Sequence, residues 1–407
     1  MDKDMEMILE KTVALRHELH RHPELSLQEK ETKQRLMDFL KRETSLTICD
    51  QGRWFYAVYP GNETAGNGTV GNGVMGKGNA AESGRAENGT VKRRIAIRAD
   101  FDALPIPEEP VLPYASENPG VSHRCGHDGH ASALCGLALL LERYGCDNEV
   151  YLIFQHAEEI GAGAAECAGL LKKIKMDRIY AFHNWSGFPE GSIVIREGVM
   201  HCASRGITFF LQGKNAHASR PEDGRNPSQA LAELVLFHEK ELLHRDYRGK
   251  VLSTIVHVRS GAKNFGIAAG DGEISMTIRS FYEEDCDKME TILKEKAEEL
   301  AGKYGLTLTV TESDVFPETV NDREATEDVV RAAESLGFPV IWMEEPVRSS
   351  EDFGYFQKEC PGALFFTGNG ENYPAIHMTE YDFNDRILPA ANRMFGRLCG
   401  IKETEDD

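Results

Sequence analysis

The sequence predicts an α/β fold in which a mostly parallel sheet is interrupted by a smaller α+β module. Three short apolar runs, each ending in acids or histidine and separated by helical stretches, predict the sheet; they span residues 95–99, 149–154 and 178–182. The order strand, helix, strand, strand, helix, strand over residues 204–313 predicts the module, because this order is typical of ferredoxin-like folds.

The first third of the chain contains two predicted helices and one unusual segment. Residues 5–40 predict two helices separated by 22–26, with Ser26 and Glu29 in the spacing of a capping box for the second helix. Residues 61–89 are rich in Gly, Asn, Ala and Glu and nearly free of large apolar side chains. Such a segment buries too little surface to offset its ordering entropy, so we interpret it as a mobile surface insertion.

From residue 204 onward the pattern changes and later changes back. Inside the module, strands are predicted at residues 205–212, 272–281 and 306–311. Helices are predicted at residues 227–244 and 285–304. Alternating helix and strand patterns return from residue 322 and end with a helix at 385–398, followed by an acidic tail at 403–407. We therefore divide the chain into a first part of the large domain, an inserted domain and a second part of the large domain, at residues 1–203, 204–313 and 314–407.

Composition excludes several classes of partner. The chain of 407 residues carries a formal net charge of −20, which disfavours binding to nucleic acid or anionic membranes. Its longest nearly pure apolar run, at 133–141, is far shorter than the ~20 residues of a membrane-spanning helix, and the acidic N-terminus lacks the pattern of a signal peptide. The nine cysteines are scattered, which favours a reducing cytoplasm over a disulfide framework.

The most informative stretch is 122–130, which contains three His, one Cys and one Asp directly before an apolar helical pattern. Cys125 and His127 are two positions apart, so in extended backbone both side chains leave the same face. Thiolate and imidazole together suit zinc or a similar transition metal. Two ligands do not complete a site, and the alternative interpretation is a helix start with an incidental Cys and a His-rich cap.

Further metal-capable side chains follow the predicted strands, where ligands bind in parallel sheets. A centre with two metals ~3.5–4 Å apart needs about as many protein ligands as the chain offers; they are Cys125, His127, Glu159, His183 and His377. Neighbours on an extended segment point opposite ways, so Glu158 is placed to act as general base on the metal-activated water. Asp100 or Asp102 can orient a ligand histidine from behind.

Taken together, eight stretches resemble the zinc-peptidase-like amidohydrolases, which include aminoacylase, hippurate hydrolase, auxin-conjugate hydrolases and N-acetyldiaminopimelate deacetylase. They occur in family order over nearly the whole chain, and one of them is Cys-Gly-His-Asp-Gly-His at 125–130. The others span residues 15–26, 97–106, 153–159, 182–185, 216–218, 350–353 and 376–377.

That resemblance implies a role for each candidate residue. It matches the general acid/base to Glu158, the supporting acid to Asp100, and the metal ligands to Cys125, His127, Glu159, His183 and His377. His217 matches a histidine that binds substrate and stabilises the oxyanion, often in the partner subunit's site. The resemblance also implies two divalent cations per subunit, zinc or manganese, and a catalytic domain split by a lid domain through which a homodimer forms.

The expected function is metal-dependent hydrolysis of the amide bond of a small N-acyl amino acid or related conjugate. One alternative is a dipeptidase or carboxypeptidase on the same scaffold, although the stretch 125–130 favours the amidohydrolases. Another is a metal-stabilised binding protein without turnover. The intact pair Glu158 and Glu159 argues against a binding protein, because binding alone requires no general base.

Overall fold

The computed structural model describes residues 3–62, 92–109 and 112–402. Most of the predicted insertion at 61–89 and the whole acidic tail at 403–407 lie outside these residues. The helices of the described residues are α1 Lys3–Arg21, α2 Lys30–Glu43, α3 His127–Tyr144, α4 Gly163–Ile174, α5 Ser228–Lys240, α6 Glu283–Tyr304, α7 Arg323–Ser335, α8 Gly354–Gln357 and α9 Leu388–Cys399. Within the same ranges, no helix is both long and apolar enough to cross a membrane.

The strands fall into one large sheet, one smaller sheet and two short ribbons. In chain order they are β1 Thr47–Asp50, β2 Phe55–Tyr59, β3 Arg94–Asp100, β4 Glu149–Gln155, β5 Arg178–Trp185, β6 Ile193–Ile195, β7 Gly198–His201, β8 Ala203–Gln212, β9 Ala216–His217, β10 Val251–Ser260, β11 Ile267–Ala268, β12 Asp271–Ser280, β13 Thr307–Phe316, β14 Thr319–Asn321, β15 Val340–Trp342 and β16 Gly362–Gly368.

The large sheet has the strand order β1-β2-β4-β3-β5-β16-β6-β15. Its centre, β4-β3-β5-β16, is parallel, whereas β2 pairs antiparallel with β4 and β6 pairs antiparallel with β16. The three apolar runs predicted as strands are β3, β4 and β5, so the prediction of a mainly parallel sheet is confirmed. Their carboxyl ends meet at one edge, which brings the residues that follow them together.

Helices cover both faces of the large sheet. One face packs against α1, α2, α3 and α9, and the other against α4 and α8. Because both faces are covered, β3 and β4 are buried at every position after their first residue, which explains their nearly continuous apolar sequences. Helix α3 is buried from its first residue, His127, to Leu141, so it begins inside the molecule, at the edge where the strands end.

The smaller sheet is antiparallel throughout, in the order β10-β12-β8-β13, and packs one face against α5 and α6. It is inserted in the sequence between β7 and β14, which pair with each other. The chain therefore leaves the large sheet along β7 and returns along β14. The predicted strands at 205–212, 272–281 and 306–311 correspond to β8, β12 and β13, and β13 continues to Phe316.

The predicted capping box before α2 is wrong. Ser26 Oγ instead donates to Asp102 Oδ2 at 2.7 Å, and the Glu29 carboxylate accepts from the Ala157 N–H at 2.8 Å. The first turn of α2 is capped by Glu24, whose Oε2 accepts from the N–H of Thr32 at 2.7 Å. Both predicted capping side chains thus bind segments that follow β3 and β4, because tertiary contacts there compete successfully with local capping.

Candidate active site

Cys125 and His127 are brought to the carboxyl edge of the large sheet by a sharp turn, not by extended backbone as the sequence suggested. Gly126 lies between them with φ +95°, and His127 is already the first residue of α3. A Cβ at Gly126 would come within 2.4 Å of Asn184 Oδ1, so the turn requires glycine for both conformation and space. The turn places the metal-capable atoms of Cys125, His127 and His183 within 4.8 Å of one another.

Two histidines from different parts of the chain flank the Cys125 thiol. Its Sγ lies 3.4 Å from His183 Nε2 and 3.4 Å from His377 Nε2. For comparison, a sulfur and a nitrogen bound to one tetrahedral zinc lie about 3.6 Å apart. His377 has φ +67°, and its N–H donates to the Arg124 carbonyl at 2.7 Å, which ties its loop to the Cys125 segment. Residues 252 positions apart in sequence therefore meet.

Glu159 connects the remaining members of this group. Its Oε1 lies 3.7 Å from His127 Nε2, and its Oε2 lies 3.6 Å from His377 Nε2. Among the described residues, His127 Nε2 and Glu159 Oε1 are buried without a hydrogen-bond partner. Buried polar atoms that face one another without partners fit a bound cation. We call the five candidate metal ligands the ligand cluster; they are Cys125, His127, Glu159, His183 and His377.

Two aspartates stand behind the ligand cluster and contact different histidines. Asp102 Oδ1 lies 3.1 Å from His127 Nδ1, and its Oδ2 accepts from the Glu159 N–H at 3.1 Å. Asp100 Oδ1 lies 2.6 Å from His130 Nδ1, whereas its Oδ2 is 3.9 Å from His127 Nε2. Of the two acids left open by the sequence, Asp102 makes the direct contact that orients a ligand histidine.

Glu158 lies beside the ligand cluster, with Oε2 3.9 Å from His127 Nε2 and Oε1 accepting from the Asp352 N–H at 3.3 Å. Burial, and then the nearby Glu351 and Asp352, raise the pKa of Glu158 well above its ordinary value. The preceding residue, Ala157, has φ +48°, a strained conformation for a residue with a Cβ. The chain thus bends sharply just where it presents Glu158 and Glu159.

The acids of this region are crowded. Burial and the neighbouring Asp102 raise the pKa of Glu159 to about 8, although His127 acts in the opposite direction. Burial, and then Glu159 and Glu158, raise the pKa of the Cys125 thiol. Burial alone would lower the pKa of His127, but the surrounding carboxylates raise it to about 10. A divalent cation bound here would lower the pKa values of the thiol and the carboxyl groups, because it stabilises the thiolate and carboxylate forms.

Arg98 supports the site from inside β3, a role that could not be inferred from the sequence. Its guanidinium contacts Asp100 Oδ2 at 2.7 Å, Asp352 Oδ1 at 2.9 Å and Glu351 Oε1 at 3.0 Å. All four side chains are buried, so the pairs compensate one another's desolvation. Glu351 and Asp352 belong to a stretch recognised in the sequence, but only the structure shows that they neutralise an arginine.

A cavity of about 500 Å³ opens from the ligand cluster towards the smaller sheet. The near wall includes Cys125, Glu158 and His377, and the far wall includes Thr277 and Arg279 of β12. The cavity therefore lies between the two sheets, and a small molecule within it would contact both. Its far wall could not be predicted from sequence, because it depends on how the two sheets pack.

His217 is the predicted site residue that the structure does not bring to the ligand cluster. It lies on β9, is exposed, and its Nδ1 is 2.8 Å from Ser219 Oγ. The ligand cluster, Glu158 and Asp100 all meet at the carboxyl edge of the large sheet. Within the described residues, His217 therefore belongs neither to the cavity wall nor to the ligand cluster.

A mainly parallel sheet with a Cys, His and Glu cluster at its carboxyl edge, and a buried carboxylate beside that cluster, defines a metal-dependent hydrolase. The sequence places the chain within this class. It belongs to Peptidase family M20/M25/M40, whose sequence profile matches residues 96–400.

Similar proteins support this assignment over most of the chain. The chain is 30% identical to N-acetylcysteine deacetylase of Bacillus subtilis over 398 residues, covering 96% of each protein. It is 32% identical to thermostable carboxypeptidase 1 of Saccharolobus solfataricus over 311 residues, covering 73% of this chain and 77% of that protein. A solved dinuclear metal-binding M20 peptidase from Bacillus subtilis superimposes with a TM-score of 0.75 at 26% identity, covering 97% and 98% of the two chains.

Proposed function

We propose that this protein hydrolyses the amide bond of small N-acyl amino acids, with Glu158 as general base. The observation that carries the proposal is the position of Glu158, whose buried carboxylate lies beside the ligand cluster and faces the cavity. A protein that only binds a metal has no use for such a group. The name of the N-acetylcysteine deacetylase relative supports an N-acyl amino acid as substrate.

The ligand cluster would hold two divalent cations. When bound there, they supply Lewis-acid polarisation of the substrate carbonyl and lower the pKa of water. Thiolate and imidazole favour zinc by softness, and the carboxylate of Glu159 is also compatible with manganese. Metal analysis of the purified protein identifies the cation. The absence of any bound divalent metal would contradict the proposal.

Glu158 would take a proton from the attacking water and pass it to the nitrogen of the leaving amine. Its place beside the ligand cluster suits this task, because bound cations would favour the carboxylate form that accepts the proton. The Asp352 N–H that binds its other oxygen fixes the side chain in place. Arg279, in the far wall, is suited to bind the α-carboxylate of the substrate.

The test is Glu158→Gln, which preserves shape and removes the base. We expect the variant to fold and to retain its metal content, with turnover of hippurate or N-acetyl-L-methionine reduced by at least ~10²-fold. Glu334→Gln, an exposed glutamate on α7, is the matched control and should keep full activity. Unchanged turnover in Glu158→Gln would remove Glu158 from its role.

The carboxypeptidase relative supports a second candidate, cleavage of peptides on the same scaffold. The two activities differ in what precedes the scissile amide: a simple acyl group or an amino acid. Assays of hippurate beside a panel of dipeptides and N-blocked dipeptides separate them. Faster cleavage of the peptides would favour the second candidate, and no hydrolysis of either panel with Zn²⁺, Mn²⁺ or Co²⁺ would favour a binding protein.

We further propose that the smaller sheet with α5 and α6 is a ferredoxin-like lid domain and that it forms a homodimer. Its edge strand β10 and the β11 segment expose large apolar side chains, including Val256 at 62% and Phe265 at 92%. Such an apolar edge is typical of an interface. His217 pairs through β9 with β11, so dimerisation here would place it near a partner subunit.

This arrangement would let His217 donate a hydrogen bond to the developing oxyanion in the partner's site. Mixing Glu158→Gln with His217→Ala subunits tests it, because each variant alone lacks one required group. Hybrid dimers would contain one complete site, so we expect recovery of about a quarter of the wild-type activity. No recovery after verified subunit exchange would contradict a role in trans.

We also propose a cytoplasmic location. All nine cysteines are free thiols, and eight of them are buried, which fits a reducing compartment. Fractionation of the source cells tests this, and recovery of the protein outside the cytoplasm would contradict it.

A further inference from the structure

Two arginines in the cavity wall have no acidic partner among the residues that the structure describes. Arg279 and Arg348 both line the cavity that Glu158 and part of the ligand cluster also line. Arg279 Nη1 donates to Ser350 Oγ at 2.8 Å and to the Arg348 carbonyl at 3.3 Å. In the part of the chain that the structure describes, neither guanidinium lies within 4.0 Å of a carboxylate. Two guanidinium groups without a carboxylate partner in the wall of one cavity are suited to bind an anion.

The backbone on both sides of Arg348 is held by hydrogen bonds, although the Arg348 side chain is exposed. On one side of it, the Val347 N–H donates to the Met200 carbonyl at 3.0 Å. On the other side, the Cys202 N–H donates to the Ser349 carbonyl at 3.1 Å. The backbone on both sides of Arg348 is therefore tied to the strand that leads into the smaller sheet. Because this backbone is already ordered, little backbone entropy is lost when the Arg348 guanidinium binds a ligand in the cavity.

His201 provides an independent sign that this wall binds a ligand. Its side chain lines the cavity and is 1% exposed, and its Nδ1 lies 3.3 Å from Ser349 Oγ. Its Nε2 is buried without a hydrogen-bond partner among the described residues. Burial lowers the pKa of His201 to about 3, so the ring is neutral and offers a hydrogen bond without adding charge. A buried polar atom without a partner in a cavity wall is commonly paired when ligand or water enters.

Two guanidinium groups in one cavity wall can bind two separate anionic groups of a substrate. A carboxylate binds one arginine through two parallel hydrogen bonds, and Arg279 is suited to do this for the α-carboxylate. Arg348 then remains for a second anionic group. We propose that Arg348 binds a second carboxylate on the substrate, so that N-acyl derivatives of acidic amino acids are the preferred class. This inference rests on the proposed amide hydrolysis and specifies its substrate.

The acids in the cavity are consistent with this placement. Glu158 and Glu159 also line the cavity, but bound cations would offset their charge, so these two acids would repel a carboxylate at Arg348 only weakly. Asp314 in the far wall forms no ion pair with Arg279 or Arg348 among the described residues, so it leaves both guanidinium groups available.

The experiment compares N-acetyl-L-glutamate with N-acetyl-L-glutamine, which has nearly the same shape without the second charge. We expect the metal-loaded wild type to favour the glutamate derivative by at least ~10-fold in kcat/KM. In Arg348→Met this ratio should fall towards one, mainly through a higher KM for N-acetyl-L-glutamate. Arg323→Met, an exposed arginine at the start of α7, is the matched control and should keep the wild-type ratio.

A binding measurement separates failure of this inference from failure of the proposed function. N-acetyl-L-glutamate is titrated calorimetrically into Glu158→Gln and into the same protein carrying Arg348→Met, so turnover is not needed. We expect the second protein to bind about 10- to 100-fold more weakly. Equal affinities, equal kcat/KM values for the two substrates in the wild type, or tighter binding of N-acetyl-O-phosphoserine than of N-acetyl-L-glutamate would overturn the inference.

Discussion

Asp102 and Asp100 occupy neighbouring positions behind the ligand cluster, yet their replacement by asparagine should have different effects. Asp102 contacts two parts of the cluster, because Oδ1 lies 3.1 Å from His127 Nδ1 and Oδ2 accepts from the Glu159 N–H at 3.1 Å. Asp100 contacts Arg98 at 2.7 Å and His130 at 2.6 Å. We therefore expect Asp102→Asn to weaken metal binding and Asp100→Asn to destabilise the fold.

The expected magnitudes follow from what each carboxylate touches. Loss of a charged partner behind a metal-binding histidine costs about 10- to 100-fold in metal affinity, or about 1.4–2.7 kcal/mol. Removing one member of a buried ion pair costs about 3–5 kcal/mol. For Asp100→Asn we expect the lower end, about 3 kcal/mol, because Arg98 keeps Glu351 and Asp352 as partners.

Two measurements separate these effects. Competition with a chelator gives the affinity for Zn²⁺, and urea unfolding of the metal-free protein gives the free energy of unfolding. Asp177→Asn is the control, because this exposed residue precedes β5 at the opposite edge of the same sheet and should change neither quantity by much. If Asp100→Asn weakened metal binding more than Asp102→Asn and left stability unchanged, the assignment of Asp102 to His127 would be refuted.

Two further predictions concern stability. Burial alone would lower the pKa of His20, but hydrogen bonds with Asp128 and Glu108 raise it to about 9. The contribution of charged His20 to the free energy of unfolding is therefore fully present below its unfolded pKa of about 6.5 and is lost as the pH rises through 9. Between pH 6.5 and 9.5, urea unfolding should show that the wild type loses up to about 3 kcal/mol more stability than His20→Gln. Separately, a Cβ at Gly129 would come within 2.4 Å of three ring atoms of buried Phe383, so Gly129→Ala should lower the free energy of unfolding by about 1–3 kcal/mol.

Each of these predictions has its own control. For the histidine, an equal pH dependence in wild type and His20→Gln would show that its charged form does not stabilise the fold. For the glycine, Gly169→Ala on α4 adds a Cβ with no atom within 4 Å and should be neutral or stabilising by up to about 1 kcal/mol. A Gly129→Ala protein as stable as Gly169→Ala would mean that the Phe383 ring moves aside at no cost.

The sequence was most informative where one short segment encodes both an element and its chemistry. The apolar runs that became β3, β4 and β5 end in the acids and histidine of the site, so predicting the strands also predicted where Asp100, Glu159 and His183 would meet. Local patterns failed where a partner distant in sequence decides the outcome. Ser26 and Glu29 have capping-box spacing, but segments after β3 and β4 bind them instead.

The far wall of the cavity shows the same limit more strongly. Arg279 lies on β12 and Arg348 in a loop after β15, and neither falls within the eight stretches that resemble the amidohydrolases. Their shared location depends on the packing of one sheet against the other, and the significance of each arginine lies in the absence of a carboxylate near it among the described residues. Sequence patterns report which groups are present, whereas only coordinates report which charges remain unpaired.

The position of His377 explains why the site depends on the whole large domain. Strand β16 lies between β5 and β6 in the large sheet, although the whole smaller sheet comes between β6 and β16 in the sequence. The loop after β16 carries His377. The His377 side chain is 50% exposed, its φ is +67°, and its backbone is held by Arg124. Of the candidate ligands, His377 thus has the least packing support, and its backbone is strained. Metal binding would offset that strain only after β16 has paired, so formation of the complete ligand cluster requires the long-range closure of the sheet.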